Sequence, residues 1–163
     1  MTAGAPVPTE WAWIGLGSSL GWRGGALACL RGALEMAGVE IRLASSEILT
    51  EPVGVTAQGW FHNQVLLMRS REAWTPEHWL DLCLAAERRC GRRPTYRWGP
   101  RRADADLLLL GRHGELRSID RPAVPHPELS LRPFLHRLVA EIDPAVAARI
   151  STRPSPPADP LGG

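Results

Sequence analysis

The chain has 163 residues, 44% of them apolar, which suits one domain able to bury a core of its own. Its formal net charge of +2 is too small for a protein that coats nucleic acid through overall electrostatics, and no run approaches the roughly 18 to 20 apolar residues of a membrane-crossing helix. Every basic residue except histidine is arginine, so the lysine of a P-loop or of a conventional kinase is missing.

In chain order, residues 1–10, with Pro6 and Pro8, carry too little apolar surface to order themselves and are expected to form a disordered tail. Trp11 to Leu16 predicts a short buried strand, and Gly15 to Gly21 a glycine-rich turn where backbone approaches a ligand closely. Ala26, Leu27, Leu30, Leu34 and Ala37 recur at helical spacing, with Gly38 placed to end the helix. Glu40 to Ile48 predicts a half-exposed strand, and Trp60 to Met68 an apolar strand antiparallel to it, after the Pro52-Val53-Gly54 loop. Thr75-Pro76-Glu77 supplies an N-cap, a proline at the first helical position and an acid in the first turn. The helix it opens should bury Trp79, Leu80, Cys83 and Leu84 and close near Gly91. Asp104 to Leu110 is the fourth strand, and Arg132 to Ala140 a further helix after the Pro125-His126-Pro127 turn. Residues 151–163 are expected to be a flexible Pro-rich tail, which leaves one domain over 11–150. The order βαββαβ predicts an α+β, ferredoxin-like sandwich: an antiparallel sheet with helices packed on one face, plus a C-terminal helix.

Cys29, Cys83 and Cys90 are odd in number and lack Cys-x-x-Cys or zinc spacing, so they read as reduced core thiols. Together with an N-terminus that lacks a basic region followed by a hydrophobic stretch, they predict a cytoplasmic protein with no membrane partner.

The chemistry concentrates between Arg92 and Asp106. Residues i and i+2 of a strand share a face at about 6.5 to 7 Å between Cα atoms, so Asp104 and Asp106 project together from the strand they open. Such a pair suits Mg²⁺, which takes one or two carboxylates and completes its shell with waters and substrate phosphates. Four leucines follow at once, so the acids sit at the head of a central strand, where charge is costly without a compensating partner. Immediately upstream, Gly91 to Arg101 carries Arg92, Arg93, Arg97 and Arg101 among glycines and prolines, a lid-like loop of guanidinium forks matched to polyphosphate. Phosphoryl-type transfer is catalysed chiefly by positioning and by neutralising charge, which is what clustered arginines and magnesium supply. Asn63 beside Phe61 fits a flat heteroaromatic ring: the aromatic holds a face, and the amide reads an edge. Glu87 could orient an arginine or pair with Arg88 or Arg93.

The chain resembles the 6-hydroxymethyl-7,8-dihydropterin pyrophosphokinase family of folate biosynthesis. The resemblance runs in family order over about residues 11 to 144: Ile14-Gly15-Leu16-Gly17-Ser18, Thr50-Glu51-Pro52-Val53-Gly54, Phe61-His62-Asn63, Gly91-Arg92, Arg97-Trp98-Gly99-Pro100-Arg101, Asp104-Ala105-Asp106, Pro125-His126-Pro127 and Arg132-Pro133-Phe134. It implies transfer of the β,γ-pyrophosphoryl group of Mg·ATP to a pterin, with release of AMP. Two magnesium ions would bridge Asp104 and Asp106 to the ATP phosphates, with Arg92 and Arg101 as mobile catalytic arginines. Arg97, Trp98, Arg121, His126 and Arg132 match positions around the nucleotide. On the pterin side it implies Thr50, Val53, Phe61, Asn63, Trp98, Asp104 and Phe134. The expected partners are the two small molecules, with no nucleic acid, for a protein acting as a monomer. The chain departs from the pattern at Ser19, where an asparagine is usual, at Ala103 and Ala105 beside the acids, and at Pro94 in the arginine loop. The alternative is a noncatalytic ferredoxin-like module binding a nucleotide or RNA, a reading that leaves Asp104 and Asp106 without a use.

Overall fold

The structure, a computed structural model, describes residues 10–19, 25–50, 61–72, 74–91, 103–112 and 115–150. The elements are β1 (Glu10–Ser19), α1 (Gly25–Met36), β2 (Glu40–Ala44), β3 (Ile48–Thr50), β4 (Phe61–Ser70), α2 (Pro76–Gly91), β5 (Ala103–Arg112), β6 (Glu115–Leu116), α3 (Glu128–Leu131), α4 (Pro133–Ile142) and α5 (Pro144–Arg149). Six strands form one antiparallel sheet in the order β2-β4-β1-β5-β6, with β3 also on β4. The four long-range strands of the βαββαβ unit thus lie in ferredoxin-like order, with β1 and β4 at the centre.

Local signals explain most element boundaries. Thr75 Oγ1 accepts from the His78 N–H at 3.1 Å and caps α2, as the Thr-Pro-Glu sequence predicts. Gly38 takes φ +83°, the left-handed conformation that stops α1 at no steric cost. The predicted turn at Gly15 to Gly21 is corrected in its first half: Gly15 to Ser19 continue β1, paired with β4 on one side and, as far as Ser18, with β5 on the other. Two ladders satisfy this backbone and outweigh glycine's poor strand preference. The single strand predicted over Glu40 to Ile48 divides at Ser45 to Glu47, where Ser45 Oγ accepts from the Val65 N–H at 2.8 Å. The buried stripe of α2 is also shifted: Trp79, Leu82, Cys83, Ala86 and Cys90 face inward, while Leu84 is exposed.

Two hydrophobic cores flank the sheet. Ala12, Ile14, Leu16, Leu66, Met68, Leu107 and Leu110 meet α1 and α2 on one face. Trp13, Val65, Leu67, Leu108 and Leu109 meet α3, α4 and α5 on the other. The two crossover helices therefore share a face as predicted, and the C-terminal helices cover the opposite one. The run Leu107 to Leu110 feeds both cores because the β1 to β5 register shifts between Trp13 and Ile14, where Leu107 and Leu109, but not Leu108, have partners on β1. Burying these side chains is worth about 1.5 to 3 kcal/mol each. At the far end of the sheet the buried Glu10 accepts from Trp79 Nε1 at 3.2 Å and from Arg112 Nε at 2.8 Å, tying β1 to α2 and β5.

The expectation of three reduced cysteines is corrected. α1 packs against α2, which brings Cys29 and Cys90 to a Cα separation of 5.8 Å, and they form a disulfide. Cys83 stays free and buried, and burial pushes its thiol well up, with Asp106 and Glu87 adding in the same direction. A crosslink spanning 61 residues stabilises by at most about 4 kcal/mol through chain entropy. Cys29→Ser is therefore expected to lower unfolding stability in urea by up to that amount, and dithiothreitol to bring the wild type down to the variant. Three titratable thiols in the denatured chain, purified without reductant, would contradict the pairing.

Candidate active site

The register of β1 with both neighbours builds the site. Gly17 lies opposite Asn63 of β4 and opposite Asp104 of β5, so amide, glycine and acid form one row across the sheet. One row inward, Gly15 lies between Val65 and Asp106. Both rows point to the face of the second core. The glycines matter by what they leave out: a Cβ on Gly17 would meet Asn63 Oδ1 at 3.3 Å, and one on Gly15 would meet Leu108 Cδ1 at 3.2 Å. Gly17 leaves bare backbone between an amide and a carboxylate, and Gly15 makes room for the Leu108 side chain.

Asn63 is held from the side. Its Nδ2 donates to Thr50 Oγ1 at 2.7 Å, which sets which way the amide faces. Thr50 pairs with Phe61, and both are half-buried. Alternation places Phe61 on the face of Asn63. Phe134, also half-buried, packs against the second core, the layer on that same face.

The acids meet a different company. Asp104 and Asp106 are open to solvent, yet protein crowds the Asp106 carboxyl enough that loss of water raises its pKa. Glu128 pushes in the same direction, whereas His126 and Arg132 pull against it. The net shift is upward, the loss of water outweighing the pull of His126 and Arg132. His126 is placed by its own N–H, which donates to Leu108 O at 2.8 Å, and by its Nδ1, which accepts from the Glu128 N–H at 3.1 Å. Arg132 is ion-paired through Nε to Glu128, one turn earlier in the chain. Histidine, arginine and acid thus converge on the second aspartate. Arg121 lies exposed in the turn at 119–124, apart from these contacts.

Among the described residues no group of three or more His, Cys, Asp or Glu side chains could hold a metal. Two carboxylates on one face are what Mg²⁺ uses when phosphate and water supply its other ligands, and Asp106, whose charged form is disfavoured by lost water, gains from a cation. The donor set fits.

Sequence reasoning missed several parts. Gly15 and Gly17 read as turn residues, although their i, i+2 spacing inside an apolar run is a strand signal. Glu87 has a role the sequence did not suggest: its Oε1 accepts from the Ala105 N–H at 2.9 Å. Arg93, one of the arginines proposed for it, lies outside the described residues. β6 covers β5 only at Gly111 and Arg112, so α2 supplies the acceptor at the uncovered edge between the two acids. Glu128 gave no local signal. Val53, Arg92, Arg97, Trp98 and Arg101 lie outside the described residues.

With no lysine in the chain and paired, exposed acids on one face of a ferredoxin-order sheet, the molecule falls in the class of α+β kinases that work without a P-loop. More closely, the chain belongs to the 7,8-dihydro-6-hydroxymethylpterin-pyrophosphokinase family, whose model matches residues 13–144. It is 35% identical over 137 residues to the 2-amino-4-hydroxy-6-hydroxymethyldihydropteridine pyrophosphokinase of Methylorubrum extorquens, covering 82% of each chain. It is 36% identical over 132 residues to the Bacillus subtilis protein of that name, covering 80% of this chain and 77% of the other. A third of that name, from Synechocystis, is 33% identical over 151 residues, 86% of this chain and 73% of the other.

Proposed function

We propose that this chain transfers the β,γ-pyrophosphoryl group of ATP to the hydroxymethyl oxygen of 6-hydroxymethyl-7,8-dihydropterin. A new bond forms between that oxygen and the β-phosphorus, the bond from the β-phosphorus to the α,β-bridging oxygen breaks, the hydroxyl proton is lost, and AMP leaves. The observation that carries the reading is the row Asn63, Gly17, Asp104 with Asp106 beside it: a ring-reading amide and a phosphate-side acid pair share one sheet face.

On this reading Asn63, oriented by Thr50, hydrogen-bonds the pterin edge, and Phe61 and Phe134 hold the ring faces, with Trp98 and the Val53 backbone closing the pocket. Asp104 and Asp106 would hold magnesium, two ions being the number that the resemblance to the family implies. When bound, the metal supplies neutralisation of the phosphate charge. Arg132 is oriented by Glu128, His126 is anchored on β5, and with Arg97 and Arg121 they would contact the nucleotide. Arg92 and Arg101 would close on the phosphates and stabilise the charge that grows as the bond breaks. The unit that does this spans residues 11–150 and works as a monomer; its cytoplasmic placement rests on the family alone, since the Cys29–Cys90 disulfide removes the cysteine argument. A nucleic-acid module is disfavoured because two acids side by side on one sheet face repel phosphate unless a cation joins them.

Incubation with Mg·ATP and the pterin alcohol is expected to give AMP in step with pterin consumption. ADP as the product, or AMP formed equally without pterin, would overturn the assignment.

A further inference from the structure

His62 sits between Phe61 and Asn63 and points to the opposite face of the sheet, where the reaction has no use for it. It is largely covered, with 14% of its side chain exposed, and its Nε2 lies 3.0 Å from Glu47 Oε2. The other oxygen of Glu47 accepts from Arg31 Nη1 of α1 at 2.8 Å. Arg31 Nη1 also donates to Gln64 Oε1 at 2.7 Å, and Gln64 Nε2 donates to the Ser45 carbonyl at 2.9 Å. Next along the chain, the Ser46 N–H and hydroxyl both donate to the Glu141 carboxylate of α4, at 2.7 and 2.8 Å. The three residues that lead into β3 are therefore gripped from α1, β4 and α4 at once.

β3, as far as the described residues go, covers Ile48, Leu49 and Thr50, and among the described residues it is paired with β4 alone. A short edge strand is drawn from the low end of local stability, so a contact too weak to matter for the whole fold decides how well such a segment is held. Its last residue, Thr50, is the one that orients Asn63.

We infer that Glu47 is a positioning residue for the pterin half of the site, acting through His62 and Arg31 to hold β3, and with it the Thr50 hydroxyl, against Asn63. The inference rests on the pterin reading above. Glu47 touches no substrate on this account. Its effect is confined to one side of the site, because the acids stand on β5, two strands away from β3's partner β4.

The test compares Glu47→Ala, Glu47→Gln, His62→Ala and the double variant Glu47→Ala/His62→Ala with the wild type. Glu47→Ala is expected to raise the pterin KM about fivefold, the scale of one partly exposed ion pair, with kcat and the ATP KM unchanged. Glu47→Gln, which keeps an acceptor for Arg31, recovers most of the loss. The double variant is no worse than Glu47→Ala alone, because the two side chains form one strut. A second readout needs no turnover: backbone amides of residues 48–50 exchange faster in Glu47→Ala, while those of β1 do not. Equal rises in both KM values, or an unchanged pterin KM together with unchanged exchange, would overturn the inference. If the wild type makes no AMP, the proposed function fails, and faster exchange at 48–50 still reports the strut.

Discussion

Asp106→Ala is expected to lower kcat by roughly a thousandfold, and Asp104→Ala by a similar factor, without loss of fold. Both acids project from β5 onto the face of the second core, level with Gly15 and Gly17, and both are exposed there, so neither side chain fills a core. Their removal takes away the anionic anchor on which a cation and a triphosphate depend. Asp106→Asn separates charge from shape: the amide keeps the volume and loses the charge, and its activity should fall nearly as far. Stability should move the other way. Folding raises the Asp106 pKa, chiefly through lost water, so the charged form opposes folding at any pH above its ordinary range, and that opposition fades as pH falls through it. At neutral pH the asparagine variant should thus melt no lower than the wild type. Wild-type turnover in either variant, or a clear fall in melting temperature accompanying the lost activity, would remove the acids from the chemistry.

Gly17→Val is expected to separate activity from stability more sharply. A Cβ at this position already meets Asn63 Oδ1 at 3.3 Å, and two further methyls would fill the space between the amide and Asp104. A pterin ring seated over Gly17 must then shift, and displacement of about 1 Å costs about a hundredfold in kcat/KM. The backbone has no reason to object, because position 17 is regular strand paired on both sides, where a β-branched residue is favoured. Loss of glycine's freedom in the unfolded chain adds about 0.4 to 1 kcal/mol of stability. The expected result is a protein that resists urea at least as well as the wild type and binds pterin poorly. Unchanged kcat/KM in a folded Gly17→Val protein would show that the substrate lies elsewhere.

Much of this was legible residue by residue. The helical spacing from Ala26 to Leu34, the stop at Gly38, the Thr75 cap and the pairing of Asp104 with Asp106 on one strand face are local properties, carried by neighbours within a few positions. Where the reading failed, a distant partner had overruled a local preference. Gly15 and Gly17 look like turn residues until two strands flank them, and four consecutive leucines look like one buried run until a register shift divides them between two cores.

Taken by itself, the sequence determined the βαββαβ frame, the α+β class, the family and the placing of two acids on one strand face, since periodicity, caps and ordered motifs are written along the chain; it did not show β6, α3, α5 or the break between β2 and β3. Only the tertiary structure decided which residues stand beside those acids. Asn63 joins Asp104 across Gly17, Cys29 meets Cys90, Glu87 reaches the Ala105 N–H, and Glu47 spans Arg31 and His62. Each pair is set by strand register or helix packing, and these depend on burying both faces of the sheet together rather than on any spacing along the chain.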